Sequence, residues 1–300
     1  MEEQNQALRL VASIPNFSLN RNTGEEVGNA GAFCLTTSTR TIAITSGKGG
    51  VGKTIVAVNL AAALATSHRR VSLVDADLGL ANADVLFGLS PQWHIGHVLA
   101  GQRTMQEITI RTSSGVRLIP GGSGITELAN LSQRQQRQLV AELRAVEDDA
   151  DFVLVDTAAG VAGNVTGVLA AATEAIIVST PDPTSVIDAY AMIKVLHQQS
   201  PVKPIWVVIN NAQNLAEAEQ AYYQISAATT RFLDRKIEHL GTIPHDPDLR
   251  QAVREQIPVL LHSPQSISAQ AFHLIAKSLQ QSQLKTSRMS DVREFWNHFT

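Results

Sequence analysis

Cysteine and charged side chains are both scarce in this chain. Cys34 is the one cysteine in 300 residues, so neither an intramolecular disulfide nor a metal cluster held only by cysteines can form within one chain. Charged residues make up 17% of the sequence and the formal net charge is −3. The chain therefore lacks the broad basic surface that attracts nucleic acid, and we expect no direct binding of nucleic acid.

Two kinds of long apolar segment are also absent. No apolar run near the start resembles a signal peptide, and no stretch of about 18 apolar residues could span a bilayer. We therefore expect a cytoplasmic protein. Hydrophobic residues still make up 44% of the chain, which is enough for the core of one large α/β domain.

Short apolar segments alternate with longer helical patterns over residues 41–283. The short segments are rich in Val, Ile and Leu along their whole length, which is typical of parallel strands covered by helices on both faces. We predict strands at Thr41–Thr45, Val71–Val74, Val116–Ile119, Phe152–Val155, Ala175–Ser179, Ile205–Ile209 and His239–Ile243, and helices at Gln133–Glu147, Ser185–Gln199 and Leu215–Phe232. This alternation predicts an α/β fold with one doubly wound, mainly parallel sheet.

Both ends of the chain differ in composition from this predicted domain. Residues 1–12 include a short helical fragment, and residues 13–40 are polar and aperiodic, as expected of a linker. Residues 284–300 combine a polar stretch with a short amphipathic tail. Short helices outside a domain are either frayed ends or elements that bind a partner.

The segment TSGKGGVGKT has the spacing of a P-loop, G-x-x-x-x-G-K-[ST], and lies between a predicted strand and a predicted helix. In this context backbone N–H groups turn towards phosphate oxygens, and the helix N-terminus adds partial positive charge. Lys53 then reaches the β- and γ-phosphates, and the Thr54 hydroxyl holds Mg²⁺. The predicted nucleotide-binding residues of the loop are Gly47, Lys48, Gly49, Gly50, Val51, Gly52, Lys53 and Thr54.

Acidic residues follow two of the predicted strands. Asp75 and Asp77 come after one of them, and Asp156 comes after another. Because parallel sheets bind ligands at the carboxyl ends of their strands, we expect these side chains near the phosphates. We predict that Asp156 holds Mg²⁺ through a water molecule and that Asp77 orients the attacking water. A helix N-cap or turn is the alternative role for either carboxylate.

The segments KGGVGKT, DADLGLAN and DTAAG together resemble the deviant Walker A ATPases, the MinD/ParA group of SIMIBI P-loop NTPases. The resemblance covers residues 41–283 and implies an ATPase with ATP and Mg²⁺ as cofactors. It also implies an ATP-dependent homodimer in which Lys48 reaches the phosphates of the partner subunit. A positive charge supplied in this way acts as an arginine finger does. A phosphate contact of Lys48 within its own chain is the alternative.

The same resemblance assigns residues to the two switches and to the base. Asp77 and Asn82 match switch I, and Asp156 and Gly160 match switch II. The residue that matches the adenine contact is Asn210.

The segment IPHD matches the loop that borders the base. Its matching residues are Pro244 and Asp246. The guanine-binding pattern N-K-x-D is not present, so the resemblance implies ATP rather than GTP.

The segment EQNQALR near the start resembles the D-Q-A-x-x-L-R helix that FlhG proteins, also called FleN, place before their ATPase domain. Gln4, Leu8 and Arg9 match this pattern. Glu3 stands in place of Asp, and Asn5 in place of Ala. The resemblance implies control of flagellar number and placement, with an FlhF-type GTPase bound by this helix and a FleQ-type transcription regulator as a further partner.

The last residues, SDVREFWNHFT, place Val292, Phe295, Trp296 and Phe299 at the i, i+3, i+4 and i+7 positions of one helix face. MinD and FlhG proteins carry such a tail, so the resemblance implies reversible attachment to the inner face of the cell membrane. Packing of the apolar stripe on the parent domain is the alternative.

Other functions are possible on the same scaffold. A ParA-type DNA or plasmid partition ATPase would bind DNA, which the negative net charge disfavours. Another MinD-like spatial regulator and a metabolic ligase are further alternatives.

His94 and His97 could suggest a metal pair, but no third ligand is near in sequence, and we interpret them as ordinary helix or loop residues. We expect Trp93 and Trp206 to be packing residues.

Overall fold

The computed structural model describes residues 39–122, 132–147, 149–160 and 163–282. The predicted N-terminal helix, nearly all of the predicted linker and the amphipathic tail lie outside these residues. Those three interpretations therefore stay predictions.

One eight-stranded sheet runs through the described residues. Its strands are β1 (Arg40–Thr45), β2 (Val71–Ala76), β3 (Ile110–Arg111), β4 (Arg117–Ile119), β5 (Phe152–Thr157), β6 (Glu174–Ser179), β7 (Ile205–Ala212) and β8 (Glu238–Pro244). The spatial order is β3-β4-β2-β5-β1-β6-β7-β8, and only the β3–β4 pair is antiparallel. The predicted doubly wound, mainly parallel fold is confirmed.

Helices connect these strands. Residues 39–122 contain four of them: α1 (Lys53–Thr66), α2 (Ala83–Leu86), α3 (Ile95–Leu99) and α4 (Met105–Ile108). The other helices of the described residues are α5 (Gln133–Glu147), α6 (Gly163–Ala171), α7 (Pro183–Gln199), α8 (Leu215–Leu233), α9 (Pro247–Arg254), α10 (Val259–His262) and α11 (Ile267–Gln281). Helix α7 begins two residues before its predicted start because Pro183, with its fixed φ, suits the first turn of a helix.

All seven predicted strands are present, with small differences at their ends. Strands β2 and β5 extend through Asp75 and Asp156, which were expected to follow them, since backbone pairing continues at Asp75↔Asp156 and Ala76↔Thr157, whereas Asp77 lies just beyond the end of β2. These carboxylates therefore belong to the sheet itself. The two-residue strand β3 was not predicted, because so short a segment carries no periodic pattern.

Both faces of the sheet are buried, which explains why its strands are continuously apolar. In β1, Ile42 and Ile44 pack on one face with α1 and α11, whereas Ala43 faces the opposite side. In β2, Leu73 belongs to the first face and Val74 to the other. Helix α1 has ten buried residues out of fourteen, so it is enclosed between the sheet and α11.

A buried polar network joins strands at the end of the sheet where β1, β6 and β7 begin. Arg40 donates to both oxygens of Glu174 at 2.6 and 2.7 Å, and Trp206 Nε1 donates to the same carboxylate at 2.8 Å. Trp206 is buried as predicted, and its N–H is paired as well. Because Glu174 is fully buried, these partners offset the cost of its charge. The candidate site lies at the opposite end of the sheet, where these strands end.

Candidate functional site

Residues 46–52 form the loop between β1 and α1. Gly52 has a φ of 87° and caps α1 without a side-chain hydrogen bond, so no side chain of the cap occupies the first N–H groups of the helix. A Cβ at Gly49 or Gly50 would meet no atom within 4 Å, which shows that this part of the loop faces open space. An open loop at a helix N-terminus is the arrangement that binds phosphate.

Two glycines of the loop pack tightly against neighbouring elements. A Cβ on Gly47 would lie 2.0 Å from the carbonyl oxygen of Asp188 in α7, and one on Gly52 would lie 2.4 Å from Asn210 Nδ2. Asn210 also donates from Nδ2 to the Val51 carbonyl at 2.8 Å. The loop is therefore fixed between β7 and α7. The Asn210 side chain thus contacts the P-loop backbone, and its contact with adenine stays a prediction.

A buried ion pair lies directly below the loop. Lys53 Nζ is 3.1 Å from Asp156 Oδ1, with Lys53 8% exposed and Asp156 fully buried. Burial raises the pKa of Asp156, and the charge of Lys53 and the Thr54 hydroxyl oppose this rise. The second oxygen, Oδ2, is buried without a hydrogen-bond partner in the structure. A buried acceptor of this kind fits a water molecule of hydrated Mg²⁺, and the hydroxyl and carboxylate oxygens are ligands that Mg²⁺ prefers.

A second buried carboxylate, Asp75, organises the loop after β2. It is 1% exposed and accepts hydrogen bonds from the backbone N–H groups of Asp77, Asn82 and Ala83 at 3.2, 3.0 and 2.9 Å. Burial, together with the charge of Asp156, raises the pKa of Asp75 to about 7. The sequence analysis assigns no role to Asp75. Its position at the end of an apolar strand is the feature of the sequence that indicates a functional carboxylate.

The predicted switch residues lie around these two carboxylates. The Asp77 side chain is partly exposed and accepts from the backbone N–H of Leu80 at 3.3 Å. Asn82 is exposed, and its side chain donates to the Leu80 carbonyl at 2.6 Å. Gly160 has a φ of 87° and donates its N–H to the Ser46 carbonyl at 2.9 Å, which ties the segment after β5 to the start of the P-loop. Their roles as switches stay predictions.

Lys48 lies on the exposed side of the P-loop. Its Nζ donates to Thr184 Oγ1 at 2.7 Å and lies 3.5 Å from Asp182 Oδ2, both at the start of α7 in the same chain. Lys48 is 43% exposed, and Asp182 is exposed as well. Solvent screens such a pair, so it holds the lysine weakly.

The loop predicted to border the base begins where β8 ends, at Pro244. The Asp246 carboxylate accepts from the backbone N–H of Asp248 at 2.9 Å and caps α9. Its other oxygen accepts from the N–H and the hydroxyl of Ser268 at 3.0 and 2.6 Å. Asp246 thus fixes the shape of this loop, and the predicted proximity to the base is not tested by these contacts.

The two histidines of WHIGH cap helix α3. His94 Nδ1 accepts from the N–H of Gly96 at 3.1 Å, and His97 Nδ1 accepts from the N–H of His94 at 3.3 Å. Burial lowers the pKa of His94, and His97 lowers it further. Trp93 packs edge-on against His97 and stacks with Arg103. No three His, Cys, Asp or Glu side chains in the described ranges are arranged to hold a metal ion directly.

A glycine loop between a buried strand and a helix, with a lysine paired to a strand-end carboxylate, defines a P-loop nucleotide-binding protein. The family model described as "ParA: NUBPL iron-transfer P-loop NTPase" matches residues 37–280. The chain is 40% identical to antiactivator FleN of Pseudomonas aeruginosa, covering 79% of this chain and 85% of FleN. It is 33% identical to the flagellum site-determining protein YlxH of Helicobacter pylori, covering 86% and 87% of the two chains.

Solved structures of MinD proteins have the same fold as this chain. The septum site-determining protein MinD of Pyrococcus horikoshii with Mg-ADP superposes with a TM-score of 0.69 at 27% identity, covering 81% of this chain and 96% of that one. A chain of the MinC:MinD cell division protein complex of Aquifex aeolicus superposes with a TM-score of 0.69 at 26% identity, covering 84% of this chain and 100% of that one. The chain therefore belongs to the MinD/ParA family of P-loop ATPases and, within it, to the FleN/FlhG branch.

Replacing Gly47 with alanine tests the tight packing of the P-loop. In Gly47→Ala the new Cβ meets the Asp188 carbonyl, so the loop must move away from α7. We expect affinity for a fluorescent ATP analogue to fall by about tenfold or more, which corresponds to a loss of about 1.4 kcal/mol or more of binding free energy. Gly241→Ala is the matched control, because its Cβ would meet the Ile275 side chain outside the P-loop, and affinity should be preserved. Equal affinity of the two variants would contradict the packing argument.

Proposed function

We propose that this chain is an ATP-dependent dimerising switch that regulates flagellar number and placement through ATP binding and slow hydrolysis. The observation that carries the proposal is the pair of lysines on one P-loop. Lys53 is buried against Asp156, whereas Lys48 is exposed on the other side of the loop. The flagellar role is supported by the relatives, one named an antiactivator and the other a flagellum site-determining protein.

The residues of the site divide the work of phosphoryl transfer. The N–H groups of the P-loop and of the α1 N-terminus would bind the phosphates, and Lys53 would contact the β- and γ-phosphates. Thr54 and, through a water, Asp156 would hold Mg²⁺, which would neutralise charge on the phosphate oxygens. Asp77 orients the attacking water. Asn210 and the loop of Pro244 contact the adenine base.

Lys48 supplies positive charge to the partner subunit. Its contacts with Asp182 and Thr184 are solvent-exposed, so about 1 kcal/mol or less opposes its release. The charge that develops on the phosphates in the transition state attracts a cation delivered in this way. ATP then holds the dimer together, and hydrolysis allows the subunits to separate.

The N-terminal helix and the C-terminal tail are the segments that bind partners and the membrane. We propose that the N-terminal helix, through Glu3, Gln4, Leu8 and Arg9, binds an FlhF-type GTPase and that a FleQ-type transcription regulator is a further partner. The tail binds the cytoplasmic membrane surface reversibly through Val292, Phe295, Trp296 and Phe299. Within the residues that the structure describes, no helix has the length and apolarity needed to cross a bilayer.

Removing Lys48 separates hydrolysis from nucleotide binding. In Lys48→Ala the rest of the P-loop and Lys53 remain, so we expect ATP affinity to be preserved. Turnover should lose its increase with protein concentration, because the cation supplied to the partner is gone. Asp182→Asn is the matched control, since it frees Lys48 without removing it and should keep the increase. Equal turnover of Lys48→Ala and wild type at high concentration would refute the proposed role.

Membrane binding by the tail should depend on nucleotide. One short apolar stripe binds lipid weakly, but two stripes on one dimer gain from their high effective concentration. We expect the full chain to sediment with anionic liposomes in ATP and only weakly in ADP. Trp296→Ala should reduce sedimentation, whereas His298→Ala, on the other helix face, should not. If the ATP form stays in the supernatant, the stripe does not bind membranes.

The partners are tested by a pull-down from the source cell. Asp77→Ala should bind ATP and Mg²⁺ but hydrolyse slowly, so it keeps the ATP-bound state. Recovery of an FlhF-type GTPase or a FleQ-type regulator with this variant, but not with Lys53→Ala, is the expected result. Recovery of DNA partition proteins alone, or turnover stimulated by DNA, would favour the ParA-type alternative and contradict the proposal.

A further inference from the structure

We propose that Asp75 is a positioning residue whose buried carboxylate holds the loop between β2 and α2 so that Asp77 faces the phosphate site. The loop comprises residues 77–82 and is called the β2–α2 loop below. The inference rests on the proposed function, because it assigns a second carboxylate to the hydrolysis that Asp77 supports.

The carboxylate closes the loop by binding both of its ends. Oδ1 accepts from the N–H of Asp77 at 3.2 Å, where the loop begins. Oδ2 accepts from the N–H groups of Asn82 and Ala83 at 3.0 and 2.9 Å, where the loop ends and α2 begins. Between these ends the loop reaches the surface, with Leu80 70% exposed. One side chain therefore fixes the start and the end of a segment whose middle is in solvent.

The hydrogen bonds require a carboxylate. Both oxygens of Asp75 accept backbone N–H groups, and a carboxylate is the side chain of this size that accepts on both atoms. An asparagine in the same place would direct its NH₂ group at either the Asp77 N–H or the Asn82 and Ala83 N–H groups. Because Asp75 and Ala83 are buried, water does not reach the contact between them without movement of the loop.

The anchor is also fixed relative to the phosphate site. Asp75 pairs in strand register with Asp156, the carboxylate that contacts Lys53. The β2–α2 loop therefore starts from a point that the sheet holds beside the P-loop. Gly121 packs on the other side, where a Cβ would lie 2.4 Å from the Asp75 carbonyl. A shift of this anchor would move Asp77 relative to the phosphates.

The main test is Asp75→Asn in the full chain. Misplacement of a catalytic group by about 1 Å can cost a factor of roughly 100, so we expect kcat for ATP to fall by roughly 10- to 100-fold. The Kd for a fluorescent ATP analogue should stay within about threefold, since the P-loop is unchanged. Ser72→Ala is the matched control, because it removes a buried, unpaired hydroxyl from the same strand and should leave kcat unchanged.

A second comparison separates positioning from general destabilisation. If Asp75 acts through Asp77, Asp75→Asn should have little further effect on kcat in an Asp77→Ala background. A merely structural role would lower nucleotide affinity as well and would lower kcat further in that background. Either of these two results, or a wild-type kcat for Asp75→Asn, would overturn the inference.

Amide exchange in the wild-type protein tests the geometry without any variant. The N–H groups of Asp77, Asn82 and Ala83 should all exchange slowly by NMR, because Asp75 binds them. Fast exchange at Asn82 and Ala83 would overturn the inference even if Asp75→Asn does not fold. If Asp77→Ala itself hydrolyses ATP at the wild-type rate, the proposed water-orienting role fails, while slow exchange at these amides would still support the anchor.

Discussion

The buried contact between Lys53 and Asp156 is the interaction on which the site depends. At 3.1 Å it joins the P-loop to β5 in a place that water does not reach. A buried charge is tolerated only when it is paired, so neither group can be removed without leaving the other uncompensated. The pairing of β1 with β5 makes this contact possible, because it places the start of the P-loop next to the end of β5. The central part of the sheet thus serves to hold two opposite charges together.

The contact between Lys53 and Asp156 also places a buried positive charge beside the P-loop, where a phosphate group can pair with it. In the proposed mechanism, phosphate oxygens would replace Asp156 as partners of Lys53, and the released carboxylate would hold Mg²⁺ through a water molecule. Asp156 Oδ2 is already without a protein partner. Asp75 lies beside it in the sheet and accepts backbone N–H groups. The two neighbouring carboxylates therefore have different contacts: Asp156 pairs with Lys53 of the P-loop, and Asp75 binds the backbone of the β2–α2 loop.

Sequence reasoning succeeded where a residue type and its spacing determine the structure. The P-loop, the apolar strands and the helix at Gln133–Glu147 follow from local pattern and are found where they were predicted. Strand order does not follow in this way, because β1 lies between β5 and β6, which are far from it in sequence. Asp75 and Asp246 illustrate the same limit. Both follow apolar segments, but one binds the β2–α2 loop and the other caps α9, and only the tertiary structure distinguishes them.

The central claim, that ATP joins two chains, is tested most directly by sedimentation velocity of the wild-type protein. The chain has a mass of 32.3 kDa, and the account predicts a species of about twice that mass with a non-hydrolysable ATP analogue and Mg²⁺. With ADP and Mg²⁺, or with the analogue without Mg²⁺, the protein should sediment as the monomer. A single monomeric species with the bound analogue and Mg²⁺, over a range of protein concentrations, would contradict the account.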